Sequence, residues 1–195
     1  MSLCGGDHPN HGAIHMMPTA STSSVARFVH TAVGLGERIP DSLFCALGRF
    51  SIAAVFWKSG QTKVDGFAID LIDRSVTFGW PRLSESAVAL FRDEYRLPLL
   101  DPALAATAAA FAEHLFPILL LIGLGTRFAA AALLGMTLVI QLFVYPDAYP
   151  THGVWATVLL VLIARGGGYL SLDHLVSTRL GHAQSLAERN SGAAV

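Results

Sequence analysis

The sequence predicts an all-α integral membrane protein: a four-transmembrane-helix bundle with a long, partly helical extramembrane loop between the first and second spans. Of its 195 residues, 53% are hydrophobic and 14% are charged, whereas a soluble protein averages about 25% charged residues. The apolar residues gather in four runs, and the mean hydropathy is +0.52. The net charge is -1 and the basic residues are scattered, so we expect no nucleic-acid-binding surface.

Residues 41–175 form the predicted membrane domain, between a flexible tail over residues 1–40 and a polar tail over residues 176–195. The first tail is rich in His, Ser, Thr, Gly and Pro and lacks the apolar core of a signal peptide. It crowds together several soft metal ligands: Cys4, His8, His11, His15, Met16 and Met17. Their spacing matches no closed metal motif, and an upstream start codon would also account for residues 1–15. We therefore expect an unstructured or spurious segment without a metal site, and a weak copper or zinc site is the lesser alternative.

The first two predicted spans cover residues 42–58 and 102–122. The first ends in Trp57 and Lys58, an aromatic and a basic residue of the kind found at membrane interfaces. The second has the roughly 20 residues that a bilayer requires. It is followed by Gly123-Leu124-Gly125-Thr126-Arg127, in which two glycines permit a tight turn.

The third and fourth predicted spans cover residues 128–145 and 152–170. The third follows the short turn and ends at Tyr145-Pro146-Asp147, so the second and third spans should form an antiparallel helical hairpin. The fourth has an apolar core of only about 12 residues, which is short for a span. It reaches sufficient length only if Arg165 snorkels to the headgroups, with Trp155 and Tyr169 near opposite interfaces.

The segment between the first two spans, residues 59–101, mixes basic and acidic residues and must lie outside the bilayer. Its pieces look helical. One covers residues 64–76, and another begins at Ser84 or Ser86. The second carries Leu83, Ala87, Leu90 and Phe91 at helical spacing, which predicts an amphipathic helix at the membrane surface or a lid over the bundle mouth.

The basic residues near the span ends indicate the orientation. Four spans place both termini and the second-to-third turn on one side, whose arginines are Arg27, Arg38, Arg127, Arg165 and Arg179. The last interhelical loop, residues 146–152, has no basic residue. The positive-inside rule then predicts cytoplasmic termini. The membrane is expected to be a bacterial inner membrane. Opposing this assignment are Lys58, Lys63, Arg92 and Arg96 on the other side.

Arg49 and Glu113 are the strongest functional candidates, because each lies inside a predicted span. A charge at membrane depth costs at least ~2.5 kcal/mol and usually faces a partner, a cavity or a ligand. At 1.5 Å per residue, Arg49 lies about 10 Å and Glu113 about 15 Å from the same membrane face. We therefore expect an Arg49–Glu113 pair, which could fix helix register or form part of a substrate, quinone or proton site. His114, about 100° round the helix from Glu113, is expected to be hydrogen-bonded.

Gln141 and His152 are predicted to make hydrogen bonds between helices. The two cysteines, Cys4 and Cys45, form no CxxC motif, which argues against internal dithiol chemistry. No phosphate-binding loop, HExxH pair or serine-hydrolase elbow is present.

Several short motifs, in a fixed order, carry a resemblance to a known family. These are Gly48-Arg49, Ser59-Gly60-Gln61-Thr62-Lys63, Leu90-Phe91, Glu94-Tyr95, Pro98, Glu113, Gly123-Leu124-Gly125-Thr126-Arg127, Phe143-Val144-Tyr145-Pro146 and Gly166-Gly167-Gly168-Tyr169-Leu170-Ser171-Leu172-Asp173. On these residues the chain resembles the DoxX family of small four-helix membrane proteins, from about Leu43 to Leu175. Gly167 stands where the family commonly has proline, and the His/Cys/Met-rich tail is not a family feature.

The resemblance implies a membrane subunit of a quinone-linked or thiol- and sulfur-linked redox system, such as a thiosulfate:quinone oxidoreductase, with relatives tied to oxidative stress. On this hypothesis Arg49 and Glu113 are catalytic, Lys63, Glu94 and His114 bind substrate, and quinone is the expected cofactor, with none bound covalently. Expected partners are the lipid bilayer, a soluble redox or sulfur-metabolism protein and a second copy of the chain. The alternatives are a non-catalytic scaffold for redox or metal-handling proteins and a metal or small-solute transporter.

Overall fold

The computed structural model describes residues 24–70, 74–98 and 100–180, and these are mostly helical. The chain divides into two units, Met1–Ile39 and Pro40–Val195. The first contains helix α1, Ser24–Glu37. The prediction of a flexible tail through residue 40 is therefore wrong over α1, whose apolar residues recur at helical spacing. The His/Cys/Met cluster lies outside the described residues.

Four helices of the second unit form a closed ring. They are α2 (Asp41–Gln61), α4 (Pro102–Ile122), α5 (Thr126–Val139) and α6 (Tyr149–Arg165). Helix α2 packs on α4, α4 on α5, α5 on α6, and α6 on α2. A π-helical turn, Ile140–Val144, extends α5, and a 3₁₀ turn, Pro146–Ala148, precedes α6. The predicted hairpin of the second and third spans is confirmed as α4 and α5.

Among the residues that the structure describes, three segments are long and apolar enough to cross a membrane: Pro102–Ile122, Thr126–Val144 and Pro146–Arg165. Helix α2 is not among them, although its 21 residues would be long enough to span a bilayer. The predicted bounds of the fourth span, residues 152–170, are wrong. Helix α6 begins earlier, at Tyr149, and ends at Arg165, because three consecutive glycines from Gly166 interrupt it. Tyr169 lies in the loop that follows.

A β-hairpin occupies much of the long loop between α2 and α4. Strand β1 (Val64–Asp70) pairs antiparallel with β2 (Ser75–Leu83). The prediction of a helix over residues 64–76 is wrong, because apolar β-formers alternate in β2 and Gly66, at φ +85°, supplies the bulge that interrupts the register. Helix α3 (Glu85–Leu90) then begins after Ser84, as predicted, and continues as a π-helical turn, Phe91–Tyr95.

The main apolar core fills the ring of four helices. Its members are Cys45, Ile52, Ala53, Phe56, Leu120, Ala129, Ala130, Leu133, Leu159 and Leu162. A smaller core joins Phe91 to Ala105 and Ala106 of α4. The segment after β2 thus packs against the first turns of α4. Its two predicted roles, an amphipathic helix at the membrane surface and a lid over the bundle mouth, both stay predictions. We call this end of the bundle, where α2 ends and α4 begins, the hairpin end, and the opposite end, where α4 meets α5, the turn end.

Candidate functional site

A buried ion pair at the hairpin end joins Lys63 to Glu113. The Nζ atom of Lys63 lies 2.7 Å from Oε2 of Glu113, and the two side chains are only 5% and 4% exposed. The hydroxyl of Ser59 donates to Oε1 of Glu113 at 3.3 Å and accepts from Lys63 Nζ at 3.0 Å. Each charge therefore has a partner despite its burial.

His114 and Gln61 form a second polar contact beside this ion pair. The Nε2 atoms of the two side chains are 2.8 Å apart, and Nδ1 of His114 is 2.7 Å from the carbonyl oxygen of Ala110. These contacts assign the imidazole proton to Nδ1, so that Nε2 accepts from the Gln61 amide. The backbone N–H of Ile69 donates to Gln61 Oε1 at 2.7 Å, which ties Gln61 to β1. His114 is hydrogen-bonded, as predicted.

Two residues that sequence reasoning did not single out shape the site. At Gly60, an added Cβ would lie 2.9 Å from the His114 ring and 3.1 Å from Cβ of Glu113, so only glycine allows α2 and α4 to approach this closely. Pro117 is buried inside α4. It has no N–H to donate to the carbonyl of Glu113, four residues earlier, and its ring crowds that carbonyl. In the sequence, the motif Ser59–Lys63 could have pointed to Gly60, and the presence of a proline within a predicted span could have pointed to Pro117.

The predicted Arg49–Glu113 pair is wrong. Arg49 is 4% exposed and donates through Nη1 to the carbonyl of Leu120 at 3.2 Å, and through Nη2 to the carbonyl of Leu170. Arg49 is therefore level with Leu120, seven residues or roughly 10 Å along α4 from Glu113. The pairing fails because α2 and α4 are offset, so that Glu113 lies beside Gly60 instead.

Arg49 belongs to a separate group of contacts at the turn end. Its donors hold together the end of α4 and the loop after α6, and Gly123 (φ +70°) leaves room for the guanidinium, because a Cβ there would meet Nη1. Just after that loop, in the first turn of the helical residues 172–180, Asp173 accepts from the backbone N–H groups of Gly125 at 2.7 Å and Thr126 at 2.9 Å. The carboxylate caps the first turn of α5. Burial opposes ionisation, but these hydrogen bonds outweigh it and hold the pKa of Asp173 below its ordinary value.

Glu94, a predicted substrate-binding residue, is not in contact with Glu113. It accepts a hydrogen bond from the hydroxyl of Tyr145, and Tyr145 in turn packs edge-on against Tyr95, with ring centroids 5.7 Å apart. The hydrogen bond to Glu94 raises the pKa of Tyr145. Burial raises the pKa of Tyr95, and the nearby charges of Glu113 and Glu94 add to the effect.

An apolar groove of about 420 Å³ runs down the outside of α2 and α4 from the Gln61–His114 contact. Its walls are Phe50, Ala53, Ala54 and Trp57 of α2, Ile118 and Leu121 of α4, and Ala68 and Ile69 of β1, with Lys58 and Gln61 beside them. Most of the lining is apolar, with polar atoms concentrated at one end. This is the usual character of a small-molecule site.

Gln141 and His152 were each predicted to make a hydrogen bond between helices, and they do so with each other: Gln141 Oε1 lies 2.7 Å from Nδ1 of His152. Within residues 24–70, 74–98 and 100–180, no group of three or more His, Cys, Asp or Glu side chains is arranged to hold a metal ion.

A family model, DoxX, matches residues 44–146. The chain belongs to the DoxX family. The match begins in α2 and ends at the start of the 3₁₀ turn before α6, so it includes the ion pair, the Gln61–His114 contact, the groove and the hairpin. Family membership and the apolar helices together identify an integral membrane protein in contact with the lipid bilayer. No curated protein and no solved structure matches the chain.

Proposed function

We propose that this DoxX protein is a quinone-binding membrane subunit of a redox system that oxidises thiols or reduced sulfur compounds. The single observation that carries the proposal is the groove whose polar end is formed by Gln61, next to His114. A lipid-soluble quinone has an apolar tail and two carbonyl oxygens, and the groove offers an apolar wall leading to hydrogen-bonding groups.

In this proposal the quinone head group lies at Gln61. The side-chain amide carries two N–H groups, one of which engages His114, and the other would donate to a quinone carbonyl. The indole ring of Trp57 and the methyl-bearing side chains of the groove would contact the tail. Helix α2 then crosses the membrane as the fourth span, because the groove must be open to lipid along its length.

The neighbouring Lys63–Glu113 pair would exchange the protons. Reduction of a quinone to its hydroquinone takes up two electrons and two protons. The sulfur compound or a soluble redox protein would supply the electrons, and the buried pair would supply the protons. A carboxylate and an ammonium held 2.7 Å apart can accept or release a proton without leaving an isolated buried charge. Arg49 has no part in this site, because it lies at the turn end, level with Leu120 and roughly 10 Å along α4 from Glu113.

The test is binding of a short-chain quinone by purified protein in lipid nanodiscs. Gln61→Leu and His114→Phe should each weaken binding at least about tenfold, a loss of about 1.4 kcal/mol. Gln141→Leu is the matched control, since Gln141, in the π-helical turn after α5, also contacts a histidine, His152 of α6, away from the groove. Absence of saturable quinone binding by the parent protein would exclude the proposal and favour the predicted scaffold function.

A further inference from the structure

We propose that the β1–β2 hairpin is a membrane anchor, whose aromatic face lies in the headgroup region of the bilayer at the hairpin end. The hairpin exposes large apolar side chains that a water-facing surface would not favour. Val76 is 53% exposed, Phe78 82% and Trp80 84%. Successive side chains of a strand alternate between faces, so these three lie on one face of β2. This inference is independent of the proposed quinone function.

The aromatic face is continuous with the outer surface of the bundle. Phe67 of β1 lies opposite Phe78, with ring centroids 6.2 Å apart, and also contacts Trp57 of α2 at 6.5 Å. Ala68 and Ile69 of β1 line the groove together with α4. Because α4 is a membrane-spanning segment, the lipid-facing surface of the bundle continues onto the hairpin.

The contacts of β1 also set the depth of the hairpin. The N–H of Ile69 donates to the side chain of Gln61, and Phe67 contacts Trp57, one turn earlier on α2. These two residues of α2 are roughly 6 Å apart along the helix axis. Strand β1 therefore lies beside the last turns of α2. It does not project away from the end of the bundle.

The backbone limits how far the hairpin can enter the bilayer. A two-stranded sheet leaves one edge of each strand without a partner, and unpaired backbone groups are not tolerated in hydrocarbon. The opposed pair Asp65 and Arg82 is also exposed and charged. Tryptophan is enriched at the headgroup level, where its ring is apolar and its N–H can meet water. Together these observations favour a position of the aromatic face in the headgroup region rather than in the hydrocarbon core.

The experiment compares quenching of Trp80 by lipid and by water-soluble quenchers. In protein carrying Trp57→Phe and Trp155→Phe, Trp80 is the remaining tryptophan. This protein is reconstituted with lipids that are brominated at shallow or deep positions of the acyl chain. The emission of Trp80 should be quenched several-fold more by the shallow label than by the deep one. Aqueous iodide should quench it only weakly. Strong iodide quenching without lipid quenching overturns the proposal. Protection from both quenchers also overturns it, because a second copy or a partner protein would then cover the face.

A second measurement avoids replacing packed tryptophans. Nitroxide labels are placed at Phe78→Cys and, as the matched control, Thr77→Cys, which is exposed on the opposite face. Both carry Cys4→Ser, and Cys45 is buried. The label at position 78 should collide more with lipid-soluble oxygen than with a water-soluble nickel chelate, and the label at position 77 should show the reverse. Equal accessibility of the two positions to the chelate contradicts the anchor.

Discussion

Lys63 and Glu113 form an ion pair in which Nζ lies 2.7 Å from Oε2, with both side chains almost wholly buried. The lysine follows the last turn of α2 and the glutamate lies inside α4, so the pair connects the loop after α2 to a helix that is long and apolar enough to cross a membrane. Ser59 bridges the two charges from α2. This relationship joins the fold and the proposed chemistry, because the groups that could exchange a proton also hold the hairpin end together.

The two members of this ion pair should contribute to stability as a coupled unit. Lys63→Met leaves the Glu113 carboxylate buried without its cation, and Glu113→Gln leaves the ammonium without its anion. Each single change should cost about 3 kcal/mol of unfolding free energy, whereas the double variant should lose less than the two costs combined. The measurement is thermal unfolding in nanodiscs. Strict additivity of the two single changes would show that the pair contributes no coupling energy.

Much of the membrane domain could be predicted from the sequence, because the apolar runs that become α4, α5 and α6 are continuous and the turn after Ile122 is marked by glycines. The partner of Glu113 could not be predicted. Residue counts along each helix give depth only if the helix ends are level, and α2 is offset from α4. The hairpin was missed because residues 64–76 are short and mixed, so apolar spacing alone does not distinguish a strand from a helix.

Arg49 should stabilise the turn end, with no direct effect on quinone binding. Arg49→Met removes the donors to the carbonyls of Leu120 and Leu170, so hydrogen exchange should rise in residues 166–173. Arg165→Met is the control, because its ion pair with Asp41 is exposed and such pairs contribute ~1 kcal/mol or less. Unchanged exchange in the loop of the Arg49 variant would argue against this structural role.

Acid should weaken the cap that Asp173 provides to α5. The pKa of this carboxyl is lowered in the folded protein, so its contribution is fully present above the ordinary pKa of about 3.9 and is lost as the pH falls through the lower folded value. At neutral pH, Asp173→Asn should lower the melting temperature by an amount corresponding to about 1 kcal/mol. The difference between the two proteins should shrink as the pH falls below about 4. A difference that is independent of pH would mean that the charge contributes nothing.

The close approach of α2 and α4 at Gly60 should be essential for the site. Gly60→Ala places a Cβ 2.9 Å from the His114 ring. The ring must then move, which should break the hydrogen bond between Gln61 and His114 and weaken quinone binding several-fold. Gly135→Ala in α5 is the matched control, since a Cβ there has open space and alanine stabilises a helix by about 1 kcal/mol relative to glycine. Binding is measured for both variants at equal protein content. Equal quinone affinity of the Gly60 variant and the parent would show that binding in the groove does not depend on the close approach of α2 and α4.

The most direct test of the proposed function is where a quinone binds. A photoactivatable quinone is cross-linked to the protein in native-like membranes, and the labelled peptides are identified by mass spectrometry. The proposal predicts saturable labelling of residues 50–61 and 114–121, the two walls of the groove, and loss of that labelling with excess unmodified quinone. Labelling confined to the turn end, in residues 165–177, or labelling that unmodified quinone does not displace, would contradict it.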